Sequence, residues 1–176
     1  MTGRFSGLEG AKVALRCFGA ADITDAYVGW LNDPEVTRYS NQRFRQHTRE
    51  SCEAYLASFA GTDNLFLSIR DASADRAIGT MTAYRSVHHG TCDVGIMIGE
   101  SGCWGGGYGQ EAWNLLTGWL LDEGGVRKLT AGCLAPNRGM VRLMERSGMH
   151  LEATRSRHEI VDGTPEDIVL YARFAK

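Results

Sequence analysis

The sequence predicts a mixed α/β fold built around a sheet with both parallel and antiparallel strands. A strand–helix–strand pattern spans residues 91–135, and strands joined through a helix are normally parallel. The chain closes on a hairpin pattern, which makes antiparallel strands. Its 176 residues suit one domain with a core of its own. We expect that domain over residues 13–176 and a flexible segment of small and polar residues over 1–12.

The first half of the chain predicts a strand, two helices and then three strands. Residues 13–18 ("VALRCF") have the character of a strand, and Asp22 can cap the helix that follows. Residues 39–46 are polar and basic without a period, so we expect a loop there, after which Thr48 caps a second helix. The next segments predict a hairpin and a third strand that contains a glycine. These three strands cover residues 64–71, 76–87 and 91–99.

The second half predicts two helices, each followed by strand patterns. Apolar residues recur at helical spacing between 108 and 123, and a glycine pair ends that helix. A strand follows over 126–135, and Asn137 lies at the start of a helix that Gly148 closes. A closing hairpin around "DGTP" covers residues 150–161 and 166–174. The prediction therefore comprises about seven strands and about four helices.

The composition excludes several classes of protein. A formal net charge of -2 and a pI near 6.2 argue against a general nucleic-acid binder, which would carry a basic excess. Five cysteines without a C-x-x-C pair argue against a disulfide framework or a zinc site, so we expect no metal. No segment reaches the ~20 apolar residues that cross a bilayer, and the start lacks the apolar stretch of a signal peptide. We expect a reduced, cytoplasmic protein without a membrane partner.

A cluster of glycines precedes the helix at 108–123. The segment "CWGGGYGQEAW" has glycine at four of five positions, Gly105 to Gly107 and Gly109. The first turn of a helix has N–H groups without partners, and these bind anions such as phosphate. Glycines let a pyrophosphate approach the backbone and permit the positive φ angles that curl amides around an oxygen. A flexible connection explains the glycines equally well, and the segment is neither a P-loop nor a G-x-G-x-x-G fingerprint.

Two longer motifs in the right order carry a resemblance to a known family. The segments "DVGIMIGESGCWGGGYGQEAWNLL" and "VRKLTAGCLAPNRGMVRLMERSGMHLEAT" resemble the GCN5-related N-acetyltransferase (GNAT) superfamily. They look most like its branch of ribosomal-protein N-terminal acetyltransferases, and the resemblance spans about residues 12 to 174. The family loop pattern Gln/Arg-x-x-Gly-x-Gly/Ala falls on residues 104 to 109. The second family pattern falls on Asn137, Leu143, Glu145, Gly148 and Met149.

The resemblance implies the GNAT fold with acetyl-CoA as the acetyl donor. In that fold the twisted sheet is splayed between the fourth and fifth strands, at 91–99 and 126–135, and the pantetheine arm lies in the splay. The arm would pair with the backbone of Ile96, Met97 and Ile98, and Asn137 would bind it near its reactive end. The pyrophosphate would bind the amides of Trp104, Gly105, Gly106, Gly107, Tyr108, Gly109 and Gln110.

Four residues depart from the family pattern. Trp104 stands where the loop usually begins with a basic or amide residue, and Gly106 occupies a commonly basic position, which implies weaker charge assistance to the phosphates. Met144 stands where many relatives have a tyrosine that protonates the departing thiolate, and Met140 replaces a frequent serine. A thioether cannot donate a proton, so water or another side chain would have to do so.

Amide formation requires a neutral amine and a donor for the developing oxyanion. Asp93 is the preferred general base, on a strand where relatives often carry Glu, and Glu100 at the strand's end is the second candidate. A solvated carboxylate is the plain alternative for both. We expect the backbone N–H near Met97 to stabilise the oxyanion.

The acceptor side is less defined by the sequence. Asn41, Arg43 and Arg45 lie in the early loop, which covers the acceptor pocket in this family, and an arginine fork suits phosphate or carboxylate. Tyr84 on a strand and His89 in a turn are further candidates for substrate binding. The alternatives are a solvated basic loop, a half-buried tyrosine and a surface turn.

The expected function is an acetyl-CoA-dependent N-acetyltransferase that acts by direct attack in a ternary complex. The acceptor is a primary amine on a protein N-terminus, a polyamine or a nucleotide-linked amino sugar, with the basic loop favouring an anionic small molecule. A non-catalytic acyl-CoA-binding or sensing domain is the main alternative, motivated by Met140 and Met144. A nucleotide-binding module is a third. No nucleic-acid partner is expected, and the oligomeric state stays open, with a homodimer as one option.

Overall fold

Eight strands form one mixed sheet in the computed structural model, which describes residues 5–176. Their order across the sheet is β1-β2-β3-β4-β5-β6-β8-β7, and every neighbouring pair is antiparallel except β5 and β6. The strands are β1 (Leu8–Glu9), β2 (Val13–Cys17), β3 (Leu65–Asp71), β4 (Arg76–Ser86), β5 (Thr91–Ile98), β6 (Lys128–Leu134), β7 (His150–Val161) and β8 (Thr164–Phe174).

Five α-helices connect these strands. They are α1 (Asp25–Asn32), α2 (Pro34–Thr37), α3 (Arg49–Ala57), α4 (Tyr108–Asp122) and α5 (Arg138–Arg146). The predicted cap at Thr48 is confirmed, since its side chain accepts from the N–H of Ser51. The predicted cap at Asp22 is wrong: Thr24 caps α1, and the Asp22 carboxylate instead accepts from the N–H of Gly19 at 2.8 Å. Within residues 5–176, no helix is long and apolar enough to cross a membrane.

The sheet separates two apolar cores because successive strand residues point to opposite faces. On one face, Leu67 and Val94 pack with α4 through the fully buried Trp113. On the other face, Phe66 packs with α1 and α3 through Tyr27 and Cys52. The glycine-rich entry to α4 and the loop over residues 39–46 therefore belong to structures on opposite faces of the sheet.

The parallel strands β5 and β6 diverge after a short contact. They pair only where Thr91 to Asp93 meet Lys128 to Thr130, whereas β6 pairs with β8 along its whole length. An opening therefore begins at Val94, which confirms the predicted splay between these two strands.

The amino-terminal segment differs from the prediction. Leu8 and Glu9 pair with Leu15 and Ala14 as a short edge strand, which raises the strand count from seven to eight. This short strand lies within the segment 1–12 for which we expect flexibility, and residues 1–4 lie outside the described residues. The helix count rises from four to five because Asp33 caps a separate short helix that begins at Pro34.

Candidate active site

The opening between β5 and β6 forms a cleft of about 530 Å³, which we call the strand cleft. β5 supplies one wall and β6 the other, while α5 and the α2 region close the sides. Its lining includes Val94, Ile96, Ile98, Trp104, Gly132, Cys133, Asn137, Met140 and Leu143. The cleft is thus long and largely apolar, with backbone on both walls.

The backbone N–H and C=O groups of successive β5 residues point alternately toward β4 and toward the strand cleft. The carbonyl of Met97 points toward β4, because a Cβ added at Gly79 would lie 2.2 Å from it. The carbonyl of Ile98 points the other way and accepts the indole N–H of Trp104 at 2.7 Å. Neighbouring residues of a strand present their backbone groups to opposite sides, so Val94 and Ile96 face the cleft with Ile98. The expectation for Met97 is corrected, since its N–H lies on the β4 side.

The glycine-rich loop makes a concave backbone surface at the start of α4. Gly105 and Gly107 have φ values of 72° and 85°, a region that favours glycine. The first intrahelical bond runs from the N–H of Glu111 to the carbonyl of Gly107, so the N–H groups of the first turn precede it. These N–H groups belong to Tyr108, Gly109 and Gln110.

Two of the amides assigned to this surface are already engaged. The N–H of Trp104 donates to Ser101 at 3.0 Å, and that of Gly106 donates to Cys103 at 3.3 Å. The N–H groups of Gly105 and Gly107 have no backbone acceptor within residues 5–176. The predicted set of seven amides is therefore reduced by the two that close the turn.

Lys12, which is not among the residues predicted from the sequence, brings a positive charge to this loop. Its Nζ donates to the carbonyl of Gly106 at 2.8 Å and lies 5.5 Å from the centre of the Tyr108 ring. The Glu111 carboxylate holds this segment, since it accepts from the N–H groups of Lys12 and Val13 at 2.7 and 2.9 Å. No local pattern reveals such contacts, because almost a hundred residues separate the partners.

Asp93 is the last β5 residue that is paired with β6 before the strands diverge. Its carboxylate accepts a hydrogen bond of 2.8 Å from the Thr130 hydroxyl. The residue reaches solvent, yet burial of the carboxyl among surrounding protein raises its pKa above the ordinary value, while the Thr130 hydrogen bond acts to lower it. By alternation Asp93 lies on the same face as Gly95 and Met97.

A second cavity of about 360 Å³ lies on that face, between the sheet and α1, α3 and the loop over 39–46. We call it the helix cleft. It shares five lining residues with the strand cleft, so the two join across β5; these are Ser40, Gln42, Gly95, Ile96 and Met97. Arg45 and His47 are the charged or basic side chains of its lining, which contains no Asp or Glu.

Two predicted acceptor residues instead hold the loop in place. Asn41 donates to the Glu159 carboxylate at 3.1 Å, and Arg43 donates to the carbonyl of Ile160 at 3.0 Å. Both contacts dock the loop on the β7–β8 hairpin. Of the three predicted loop residues, only Arg45 lines the helix cleft, because the 3₁₀ turn over Asn41–Phe44 directs the other two away.

Asp93 lines neither cleft, and three other candidates also lie outside both. Glu100 lies just after the carboxyl end of β5, away from Asp93, and its carboxylate forms an ion pair of 2.7 Å with Arg76. His89 is exposed in the turn before β5. Tyr84 stands directly opposite Asp93 on β4, and its hydroxyl lies 2.6 Å from that of Tyr55, which lines the helix cleft.

The sulfur-containing residues near the strand cleft are poorly suited to proton transfer. Met144 is fully buried in the core, and Met140 lines the cleft with a thioether that has no proton to donate. Burial raises the pKa of Cys133 to about 11, so its thiol stays protonated at neutral pH. The half-buried Tyr39, which is not among the residues predicted from the sequence, contributes a phenol to the cleft lining.

Comparisons with known proteins agree with this geometry. The acetyltransferase (GNAT) domain family matches residues 12–150. Among curated proteins, none matches the sequence. The chain is similar in structure to ribosomal-protein-S5-alanine acetyltransferase from Vibrio fischeri, with a TM-score of 0.82 and 17% identity over 97% of both chains.

Two further solved structures contain ligands. Spermidine N-acetyltransferase from Vibrio cholerae, in complex with CoA and spermine, has a TM-score of 0.82 and 15% identity, over 94% of this chain and 97% of that one. The microcin C7 self-immunity acetyltransferase MccE, in complex with acetyl-CoA and AMP, has a TM-score of 0.81 and 16% identity over 96% of both chains. At these identities the likeness shows a shared fold.

Proposed function

The chain belongs to the GNAT acetyltransferase family, and from that premise we propose that it transfers the acetyl group of acetyl-CoA to a primary amine. The observation that carries the proposal is the meeting of two clefts across β5, at Gly95, Ile96 and Met97. A donor in the strand cleft and an amine in the helix cleft would approach each other at this point. Both substrates can then be bound at once, as direct transfer requires.

The strand cleft fits the coenzyme in shape and in hydrogen-bonding groups. Val94 and Ile96 direct backbone groups into it, so an extended amide-containing arm can pair with them as an added strand does. The first turn of α4 and the glycines before it offer N–H groups to phosphate oxygens. Asn137 lies on the cleft wall and caps α5 through its side-chain oxygen, which leaves its amide NH₂ as a donor. The coenzyme supplies an activated acyl group.

Asp93 is the group that we propose as the general base. The neutral amine attacks the carbonyl carbon, the C–N bond forms, the C–S bond breaks, and the proton lost by the amine passes to Asp93 directly or through water. A positioned base of this kind contributes roughly 10²–10⁴-fold. Glu100 is left out because its ion pair with Arg76 lies at the opposite end of the strand.

The negative charge that develops on the carbonyl oxygen needs a donor within the cleft. The N–H of Val94 or Ile96 meets this requirement, since both residues direct backbone groups into the opening at the end nearest Asp93. One such donor is worth about 3–4 kcal/mol of barrier. The departing sulfur needs a proton, for which Tyr39 is our candidate, since it is a phenol on the cleft wall.

The charge of the helix cleft favours an amine that carries an anionic group. Among the described residues, Arg45 and His47 line the helix cleft, whereas the nearest lining carboxylate, Glu35, belongs to the joined strand cleft, so the helix cleft itself favours an anionic group over a second ammonium. The aromatic side chains of Tyr27, Tyr55 and Phe66 offer apolar contact to the body of a small molecule. We therefore favour a small amine with a phosphate or carboxylate, such as a nucleotide-linked amino sugar, over polyamines and protein N-termini.

A free-thiol release assay with acetyl-CoA tests the proposal. The amine panel contains spermidine, a peptide with a free N-terminus and a nucleotide-linked amino sugar. We expect turnover with the amino sugar and little with spermidine. Tight acetyl-CoA binding without turnover on any amine would favour the non-catalytic sensing domain that Met140 and Met144 suggest. Thermal stabilisation by ATP alone, with none by CoA, would instead favour a different nucleotide ligand.

A further inference from the structure

The loop that precedes α4 has no cation of its own. Residues 101–110 contain no charged side chain, and the first charge of the helix is the negative one of Glu111. A diphosphate bound at this loop would meet amide donors but also a nearby carboxylate. A cation from elsewhere is therefore needed to balance the local charge.

Lys12 supplies that cation from the turn between β1 and β2. Its ammonium donates to the carbonyl of Gly106 at 2.8 Å, and it lies 3.8 Å from the place where a Cβ of Gly107 would be. An ammonium has three donors, so two remain for phosphate oxygens after the bond to Gly106. We propose that Lys12 binds the diphosphate of acetyl-CoA, an inference that rests on the proposed function.

Glu111 positions Lys12 through the backbone. Its carboxylate accepts from three successive N–H groups, those of Ala11, Lys12 and Val13, at 3.2, 2.7 and 2.9 Å. The approach is close, since a Cβ on Gly10 would lie 2.6 Å from the carboxylate oxygen. The three bonds disperse the negative charge of Glu111 and direct the Lys12 side chain toward the loop. Glu111 is thus a positioning residue.

The test compares Lys12→Met with Lys176→Met, which removes the same charge at the chain terminus. We expect CoA affinity by calorimetry to fall about tenfold in Lys12→Met, the scale of one charge-assisted contact, and to stay unchanged in Lys176→Met. The same loss is expected with 3′-dephospho-CoA, which keeps the diphosphate. Equal far-UV circular dichroism of wild type and Lys12→Met reports that the variant is folded.

Three distinct outcomes would contradict, in turn, the role of Lys12, its assignment to the diphosphate, and the proposed function. Unchanged CoA affinity in Lys12→Met would remove Lys12 from the site while the proposed function stands. A loss that disappears with 3′-dephospho-CoA would assign Lys12 to the 3′-phosphate instead of the diphosphate. Wild-type protein that binds no CoA would overturn the proposed function itself.

The positioning role of Glu111 has its own test. Glu111→Gln removes a negative charge near the diphosphate but also loosens the backbone that holds Lys12, and we expect the second effect to dominate and weaken CoA binding in the wild-type background. In Lys12→Met the same change should add no further loss, because its unfavourable effect acts through the missing ammonium. Additive losses in the double variant would show that Glu111 acts independently of Lys12 and overturn its positioning role.

Discussion

The hydroxyl of Thr130 donates a hydrogen bond of 2.8 Å to the Asp93 carboxylate across the last paired residues of β5 and β6. The contact joins the two strands at the point where they begin to diverge. It also stabilises the ionised form of a carboxyl whose pKa burial raises. A side chain with a perturbed pKa beside the point where the two strands diverge is a candidate for proton transfer.

Replacing Asp93 with Asn should lower turnover much more than coenzyme affinity. The amide keeps an oxygen that can accept from Thr130, but it cannot take a proton from the amine. We expect kcat at neutral pH to fall by about 10²-fold, within the usual range for a general base, while the acetyl-CoA Kd changes less than about twofold. Steady-state kinetics and calorimetry measure the two effects. An unchanged pH–rate profile would exclude Asp93 as the base.

Replacing Thr130 with Val should shift the pH–rate profile to higher pH. In the wild type, the Thr130 hydrogen bond favours the ionised carboxylate of Asp93. Without that bond the pKa of Asp93, which burial already raises, should rise further. The ionised form is the active base, and the acidic limb of kcat therefore moves upward in pH. Thr130→Ser retains the hydroxyl and is the matched control. A profile that moves to lower pH, or equally in both variants, contradicts the assignment.

Placing Glu at Gly107 should weaken coenzyme binding. Gly107 has a φ of 85° and caps α4, so any side chain is strained there and a carboxylate also repels phosphate. Gly107→Ala introduces the strain without the charge and separates the two causes. We expect the Kd for CoA, measured by calorimetry, to rise more in the Glu variant than in the Ala variant. Wild-type affinity in Gly107→Glu would argue against phosphate binding at this loop.

Replacing Arg45 with Ala should discriminate between acceptor classes. Arg45 lines the helix cleft, whereas Arg43 bonds to the carbonyl of Ile160 in the neighbouring hairpin. We expect Arg45→Ala to raise KM about tenfold for an amine that carries phosphate or carboxylate, the scale of one charge-assisted contact, with KM for acetyl-CoA unchanged. A neutral amine of similar size is the control substrate. Equal effects on both amines would argue against anion recognition by Arg45.

Two glycine-to-alanine substitutions should change stability in opposite directions. A Cβ on Gly99 would lie 2.1 Å from the ring of Trp30, so Gly99→Ala should lower the free energy of unfolding by about 1–3 kcal/mol through overpacking. Gly118 lies within α4 with no atom within 4 Å of an added Cβ, so Gly118→Ala should raise it by about 0.5–1 kcal/mol. Urea unfolding measures both, and destabilisation by Gly118→Ala would contradict the open space at that position.

Local patterns were sufficient for most of the regular structure. Thr48 was identified as a cap because capping is a contact between residues three apart. The helix at 108–122 followed from apolar spacing, and the parallel pairing of β5 and β6 followed from the helix between them. The miss at Asp22 has a local cause as well, since Thr24, two residues later, has the same capping chemistry.

The site depended on relationships that have no local pattern. The side that a backbone N–H faces depends on strand register, which is why Met97 was selected although its backbone groups face β4. Asn41 and Arg43 were selected for their charge and polarity, but contacts with the distant hairpin occupy them. Lys12 was overlooked because only the folded chain brings it to the glycine-rich loop.

By itself, the sequence determined the mixed α/β class and most of the order of the elements through periodicity, while motifs within short segments carried the resemblance to the family, and the resemblance implied the splay between two parallel strands. The tertiary structure alone decided which amides and side chains face each cleft, where the two clefts meet, and which cation reaches the loop. The physical reason is that these properties arise from strand register and long-range contacts. Strand register and long-range contacts both join residues that are far apart in the chain, so the geometry of the clefts exists only after the sheet has formed.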